Sequence, residues 1–222
     1  MLVLYFNKKV KPLYRSDKGR NMLIIAVVFE VTRVGIVLFK NIQGYHNLLS
    51  TGLIALILLI LVFLVTKYFL QINLKEIGLK KISNWNKYEI VYLLIIAPLG
   101  FFIFYYFTGD KLNASLHENG WMIFILTFIF YMSWGFYQEW IYRGFIQTEL
   151  TRRHGAATAI ILANLIFTFG PLHFYQLYQG NYIIIAATFL IGLVFGILYH
   201  RSYNLFIVGI LHGIGNWFLV GL

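Results

Sequence analysis

With 222 residues, 60% of them hydrophobic and only 12% charged, and a mean hydropathy of +0.75, the chain has too little polar surface for a soluble globular domain and reads as a polytopic membrane protein. Its formal net charge of +10 gathers at the ends of apolar stretches, where anionic headgroups and the topology rule account for it, so the lipid bilayer and not nucleic acid is the expected partner. Cysteine is absent, which excludes a disulfide framework and a thiolate metal site and leaves only His and carboxylate ligands for any metal.

Residues 1–21 form a basic segment with Lys8, Lys9, Lys11, Arg15, Lys18 and Arg20. No small-residue cleavage site follows the first apolar stretch, which therefore reads as a retained helix and not a signal peptide. Residues 22–222 read as one membrane domain, with 120–222 as its chemically distinctive core. A hydrocarbon layer about 30 Å thick takes roughly 20 helical residues. That ruler marks apolar segments near 22–39, 48–70, 89–107, 120–146, 156–173, 181–199 and 203–222. The predicted fold is thus an all-α membrane helix bundle of about seven transmembrane helices, with six and eight as its bounds. The fourth segment runs on in pattern through Gln147 to Arg153, and Gly155 is placed to end it. Gly170-Pro171 should bend or end the fifth.

Lysine and arginine alternate between the connections. Lys75, Lys80, Lys81 and Lys87 follow the second segment and Arg152 and Arg153 the fourth, against single lysines after the first and third. The positive-inside rule then predicts a cytoplasmic N-terminus and an external C-terminus. Trp85, Trp121, Tyr105, Tyr106 and Tyr178 sit near segment ends, where amphipathic rings favour the headgroup layer. The connection from Asn73 to Lys87 reads either as a short interfacial helix or as an ordered basic loop.

Against this apolar background three polar groupings stand out. An ionisable side chain in hydrocarbon costs about 2.5 to 3.5 kcal/mol on insertion scales, so each needs a reason. In Gln138-Glu139-Trp140-Ile141-Tyr142-Arg143 the acid precedes the base by four residues, the favourable order for an ion pair on one helix face, and Gln138 projects about 100° away. His173 stands four residues after Phe169. His212 and Asn216 share a face of the last segment, where Gly209, Gly213 and Gly215 let another helix come close. Taken singly, each has a structural reading: a self-neutralising pair, an interface histidine, a polar clasp. Together they can meet. Counted from the inner helix ends at about 1.5 Å per residue, Glu139 lies about 21 Å deep, His173 about 25 Å, His212 about 15 Å and Asn216 about 21 Å, provided the fourth helix is long.

A carboxylate, two imidazoles and an amide in a partly dry site suit the activation of water and the stabilisation of an oxyanion. No His-Glu-x-x-His or Gly-x-Ser-x-Gly pattern is present. Zinc held by His173, His212 and Glu139 is chemically permissible, and spacing across three helices does not separate metal from metal-free chemistry.

In order and spacing these motifs resemble the intramembrane CAAX-processing and bacteriocin-processing proteases, the CPBP or Abi family. That family's pattern is Glu-Glu-x-x-x-Arg, then Phe-x-x-x-His, then His-x-x-x-Asn, and the resemblance covers about residues 120–222, with Arg143-Gly144-Phe145 also similar. It implies a membrane-embedded endopeptidase in which an acid and His173 activate water while His212 and Asn216 hold the oxyanion, with no cofactor favoured. It also implies a multi-pass protein of a bacterial plasma membrane, acting on a membrane-associated peptide or protein, with oligomeric state left open. One departure matters: the family's first glutamate is Gln138 here, and an amide cannot accept a proton at neutral pH. Three readings stay open. Glu139 serves as the base with Arg143 beside it; hydrolysis is lost and a bacteriocin-immunity or regulatory binding role remains; or the glutamine is an introduced Glu→Gln change. A transporter is disfavoured because these motifs cluster in the C-terminal half with no mirrored first half.

Overall fold

A computed structural model describes residues 16–43, 48–170, 173 and 179–220. Of the residues singled out above, Lys8, Lys9, Lys11, Arg15, Pro171 and Tyr178 lie outside them. Among the described residues there is no strand, and the chain is a helix bundle. It comprises α1 (Ser16–Gln43), α2 (Leu48–Leu64), α3 (Lys87–Glu139), α4 (Thr148–His154), α5 (Ala156–Thr168), α6 (Tyr182–Ser202) and α7 (Leu205–Val220). A π-helical turn over Val65–Phe69 extends α2, and a longer one over Trp140–Gln147 joins α3 to α4 without a break.

Among the described residues five stretches are long and apolar enough to cross a bilayer: Asp17–Phe39, Ser50–Phe69, Lys87–Tyr106, Gly120–His154 and Tyr182–Ser202. The other two apolar helices, Ala156–Thr168 and Leu205–Phe218, are shorter. The 13 residues of α5 span only about 20 Å, less than the hydrocarbon thickness. All seven expected segments are helical, but the fifth ends at Thr168 and not near 173. Phe169 caps it and Gly170 comes next, where the sequence leads one to expect a break.

The third segment does not stop at Phe107. Its helix runs on past exposed Asp110 and Glu118 to Gly120, whose φ of 73° and ψ of 168° break it. A Cβ on Gly215 would approach Phe104, and one on Gly213 would strike Met132. Residues 104 and 132 would be about 42 Å apart on one straight helix, so for both to touch the same turn of α7 the chain must fold back at Gly120. That hairpin grips α7. A Cβ on Gly135 would run into the backbone of Gly213, and one on Gly209 into the Phe136 ring. The glycines read from the sequence as points of close approach are therefore where α3 and α7 touch backbone to backbone. Farther out the contact is aromatic: Trp217 meets Phe124 and Phe128 edge-on at centroid distances of 4.8 and 5.1 Å, and Phe218 meets Phe101 at 5.1 Å.

The connection between α2 and α3 is an ordered loop with two single 3-10 turns, Leu74–Ile77 and Ile82–Asn84, and not an interfacial helix. It is anchored in the bundle. Ile77 is fully buried beside Gly144, and the Gly78 carbonyl accepts from the Leu205 amide at 2.8 Å. Tyr203 donates its hydroxyl to the Glu76 carbonyl, and burial pushes that phenol up to about 12, which keeps it a donor at any physiological pH. Asn86 and Glu89 close a capping box at the start of α3: Asn86 Oδ1 accepts from the Glu89 amide at 3.0 Å and Glu89 Oε2 from the Asn86 amide at 2.7 Å. The other Glu89 oxygen pairs with Lys80 Nζ at 2.7 Å, and Lys80 also donates to the Ser202 carbonyl at 2.8 Å, tying the loop to the end of α6.

The outer surface is apolar, as a lipid-facing bundle requires: Ile183, Leu94, Val31 and Leu190 are all exposed. Charge lies inside, where Glu139 and Arg143 are both 0% exposed. Tyr105, Tyr106 and Trp121 are exposed.

Candidate active site

The central rod, from Gly120 through the π turn to His154, is the long fourth helix on which the depth match depends, and the left-handed Gly155 (φ 83°) ends it. Every residue from Ser133 to Glu149 except Trp134 and Phe136 is buried on one side or another of this rod. Its polar residues reach three neighbours. Arg143 Nη2 donates to the Gly192 carbonyl and Gln147 Nε2 to the Gly196 carbonyl, both at 2.8 Å, while Asn164 Nδ2 of α5 donates to the Phe189 carbonyl at 2.9 Å. Carbonyls in α6 retain a lone pair beyond the helical bond, and three side chains use it in successive turns. Gly192 permits this, since a Cβ there would overlap Asn164 Oδ1.

Glu139 and Arg143 form the expected pair, with Nε and Oε2 3.3 Å apart. The other carboxylate oxygen, Oε1, meets His212 Nδ1 at 2.7 Å. The two charged or polar helices that the sequence set side by side are thus joined through one buried acid. One turn farther along α7, Asn216 Nδ2 donates to Gln138 Oε1 at 3.2 Å. Gln138 and Glu139, about 100° apart on α3, therefore each take one member of the His212/Asn216 face. Since the π turn leaves Arg143 able to reach both Glu139 and Gly192, the arginine bridges α3 and α6.

His173 approaches from beyond the end of α5. Its Nδ1 is 2.9 Å from the Phe167 carbonyl, which can only accept, so Nδ1 carries the proton and Nε2 keeps the lone pair in the neutral ring. The Phe167 ring is the common floor: His173 stands edge-on to it at 4.9 Å, His212 at 5.6 Å, Tyr142 at 5.0 Å, and the Arg143 guanidinium lies 5.1 Å from its centroid. All six sequence-selected residues, Gln138, Glu139, Arg143, His173, His212 and Asn216, thus lie on one connected cluster. Phe169, the first residue of the Phe-x-x-x-His motif, is exposed, and Phe167 packs in its place.

Two charged residues of the cluster come from α1. Glu30 accepts from the Tyr142 hydroxyl at 2.8 Å and the Tyr137 hydroxyl at 3.4 Å and is ion-paired with Arg33, whose guanidinium lies 5.7 Å from the Trp134 ring centroid. The motif residues cluster in the C-terminal half, as the sequence leads one to expect, and α1 adds this pair to them. The signal was present: Glu30 and Arg33 are ionisable residues three apart in the first apolar segment, the same pattern that singled out Glu139 and Arg143. The tyrosines could not be paired from the sequence. Five residues apart, they fall about 140° from each other on an α-helix, and the turn of i to i−5 hydrogen bonds brings them toward one face.

Among the described residues no group of three His, Asp or Glu side chains is arranged to hold a metal ion. His212 and Glu139 direct facing atoms at each other, and His173 directs Nδ1 at a backbone carbonyl, leaving the two Nε2 atoms as the donors a metal would have to use.

Residues 117–218 fit the family model described as type II CAAX prenyl endopeptidase Rce1-like. No curated protein and no solved structure matches the chain. The matched segment runs from the end of the first α3 arm to Phe218 and contains every motif residue of the cluster except those supplied by α1.

Proposed function

We propose that this chain, a multi-pass membrane protein whose residues 117–218 form a domain of the Rce1-like CAAX endopeptidase family, is an intramembrane endopeptidase acting on a membrane-associated peptide or protein. The observation that carries this reading is the buried contact between Glu139 and His212. The enclosed carboxylate on Nδ1 fixes the His212 ring and leaves Nε2 as the atom free to meet a substrate. His212 Nε2 and Asn216 Nδ2 are the donors for an oxyanion, and Gln138 holds the Asn216 amide in place. His173, with its lone pair on Nε2, accepts a hydrogen bond from the attacking water and orients it. Water adds to the carbonyl carbon as its proton passes to the protein. The oxyanion collapses, the C–N bond breaks, and the amine leaves with the proton. Zinc is not required by this assignment, and activity unaffected by a chelator is its expected behaviour.

The test uses a quenched-fluorescent peptide library anchored in lipid vesicles through a farnesylated or palmitoylated cysteine. Purified protein should cleave it, and His173→Ala and His212→Ala should each lose at least about 10²-fold. Cleavage that survives both substitutions refutes the assignment. A second reading, binding without hydrolysis in bacteriocin immunity or regulation, draws on the Gln138–Asn216 amide pair, which is satisfied without any acid at that position. It gains if only Gln138→Glu cleaves.

A further inference from the structure

In the catalytic assignment above, to which this inference belongs, one part is missing: a carboxylate that can meet the attacking water alongside His173. Gln138 has no proton-accepting group, and its carbonyl oxygen takes the Asn216 amide. Glu139 is a carboxylate, but it is 0% exposed, with one oxygen on His212 and the other facing Arg143. Of the acids that reach the Phe167 cluster, Glu30 is the one open to small molecules, with 14% of its side chain accessible while its partner Arg33 has 2%.

We propose that Glu30 of α1 is the carboxylate that works with His173 on the attacking water, replacing from another helix the acid that Gln138 does not supply. Three donors hold it: the hydroxyls of Tyr137 and Tyr142 and the guanidinium of Arg33. An ionised carboxylate offers about four lone-pair directions, so one remains for water. Tyr142 links it to the site, because its hydroxyl binds Glu30 while its ring stands on the Phe167 ring beside His173. Glu30 and Arg33 are also among the charges that act on the His173 ring, together with His212. In the reaction Glu30 accepts one water proton as the water oxygen bonds to the carbonyl carbon. The C=O electron pair moves to the oxyanion at His212 and Asn216. When that pair returns and the C–N bond breaks, the proton on Glu30 passes to the leaving nitrogen, giving a carboxylic acid and an amine with no other reagent.

The experiment compares wild type, Glu30→Gln, Gln138→Glu and the double variant Glu30→Gln/Gln138→Glu on the lipid-anchored library, with melting temperature measured for each. Glu30→Gln keeps the shape, with its one amide oxygen accepting from Tyr142 and Arg33 and its amide nitrogen donating to the Tyr137 hydroxyl, and it should lose about 10²-fold or more in kcat. The double variant should return to within about tenfold of wild type, because it restores a carboxylate at the other position; a purely structural role for Glu30 would not be rescued there. If Glu30→Gln does not fold, Glu30→Gln/Arg33→Met removes the charges together and takes its place in both comparisons. A wild type that cleaves while Glu30→Gln stays within about threefold overturns the role of Glu30 and leaves the endopeptidase standing. Cleavage by Gln138→Glu with a silent wild type also overturns it. Silence from every variant overturns the endopeptidase and Glu30 with it.

Discussion

Removing Arg143 should destabilise the protein severely, and removing its partner at the same time should recover most of the loss. Glu139 and Arg143 are 0% exposed, and their charged atoms are 3.3 Å apart. At an effective dielectric of 20 that separation corresponds to about 5 kcal/mol of gross attraction. The net effect of deleting one partner of a buried pair is about 3 to 5 kcal/mol, most of it the cost of leaving the other charge stranded. In Arg143→Met the apolar stem over Phe167 is preserved, but Glu139 keeps only His212, and the Gly192 carbonyl loses its donor. The expected cost is therefore about 3 to 5 kcal/mol, and Glu139→Gln/Arg143→Met should lie within about 2 kcal/mol of wild type. Titrated unfolding in mixed micelles, followed by the fluorescence of the five tryptophans, measures both. A single Arg143→Met costing less than about 1 kcal/mol would refute the view that this pair is dry and mutually dependent.

Two further outcomes follow from the packing. Gly135→Ala should destabilise by about 1 to 3 kcal/mol or prevent folding, because its Cβ meets the Gly213 backbone, which cannot step aside. Gly100→Ala, whose Cβ would find only Leu211 Cδ2 at 3.8 Å, should be neutral or stabilising; thermal denaturation in detergent distinguishes them. Glu89→Ala removes the acid half of the capping box and leaves Lys80 only the Ser202 carbonyl, so about 1 to 2 kcal/mol should be lost and protease cleavage within residues 73–87 should rise in limited digestion. Unchanged digestion would mean that Ile77 and the backbone contacts of Glu76 and Gly78 anchor the loop without Glu89.

The sequence was legible where the signal is local to one helix. Apolar length marked each segment, the polar pattern past Ile146 carried the fourth helix to Gly155, and the spacing of Glu139 and Arg143 or of His212 and Asn216 named faces that do meet. What it could not supply was pairing across helices. That Glu139 chooses His212 while Gln138 chooses Asn216 is decided by how closely α3 and α7 approach at Gly135 and Gly213. Ile77 looked like one apolar residue in a lysine-rich loop, and only the space beside Gly144 makes it part of the core. Phe167 and Phe169 are indistinguishable by composition, and the end of α5 at Thr168 turns one inward and the other out. Glu30 and Arg33 were visible but stood far from the other motifs along the chain.

The turn over Trp140–Gln147 sets the phase of everything around it. An α-helix repeats its faces every 3.6 residues, so a rod that touches α1, α6 and α7 would present each neighbour with one fixed stripe. By widening the winding for about two turns, the rod changes stripes partway along its length. Tyr137 and Tyr142 then serve one neighbour, Glu139 a second, and Arg143 and Gln147 a third. Deleting one residue here would restore regular winding and remove the extra residue that shifts the faces, so the partners within the turn would lose their positions. The irregular turn is thus what allows a single straight element to address three helices at once, and the buried charges depend on that shift in phase.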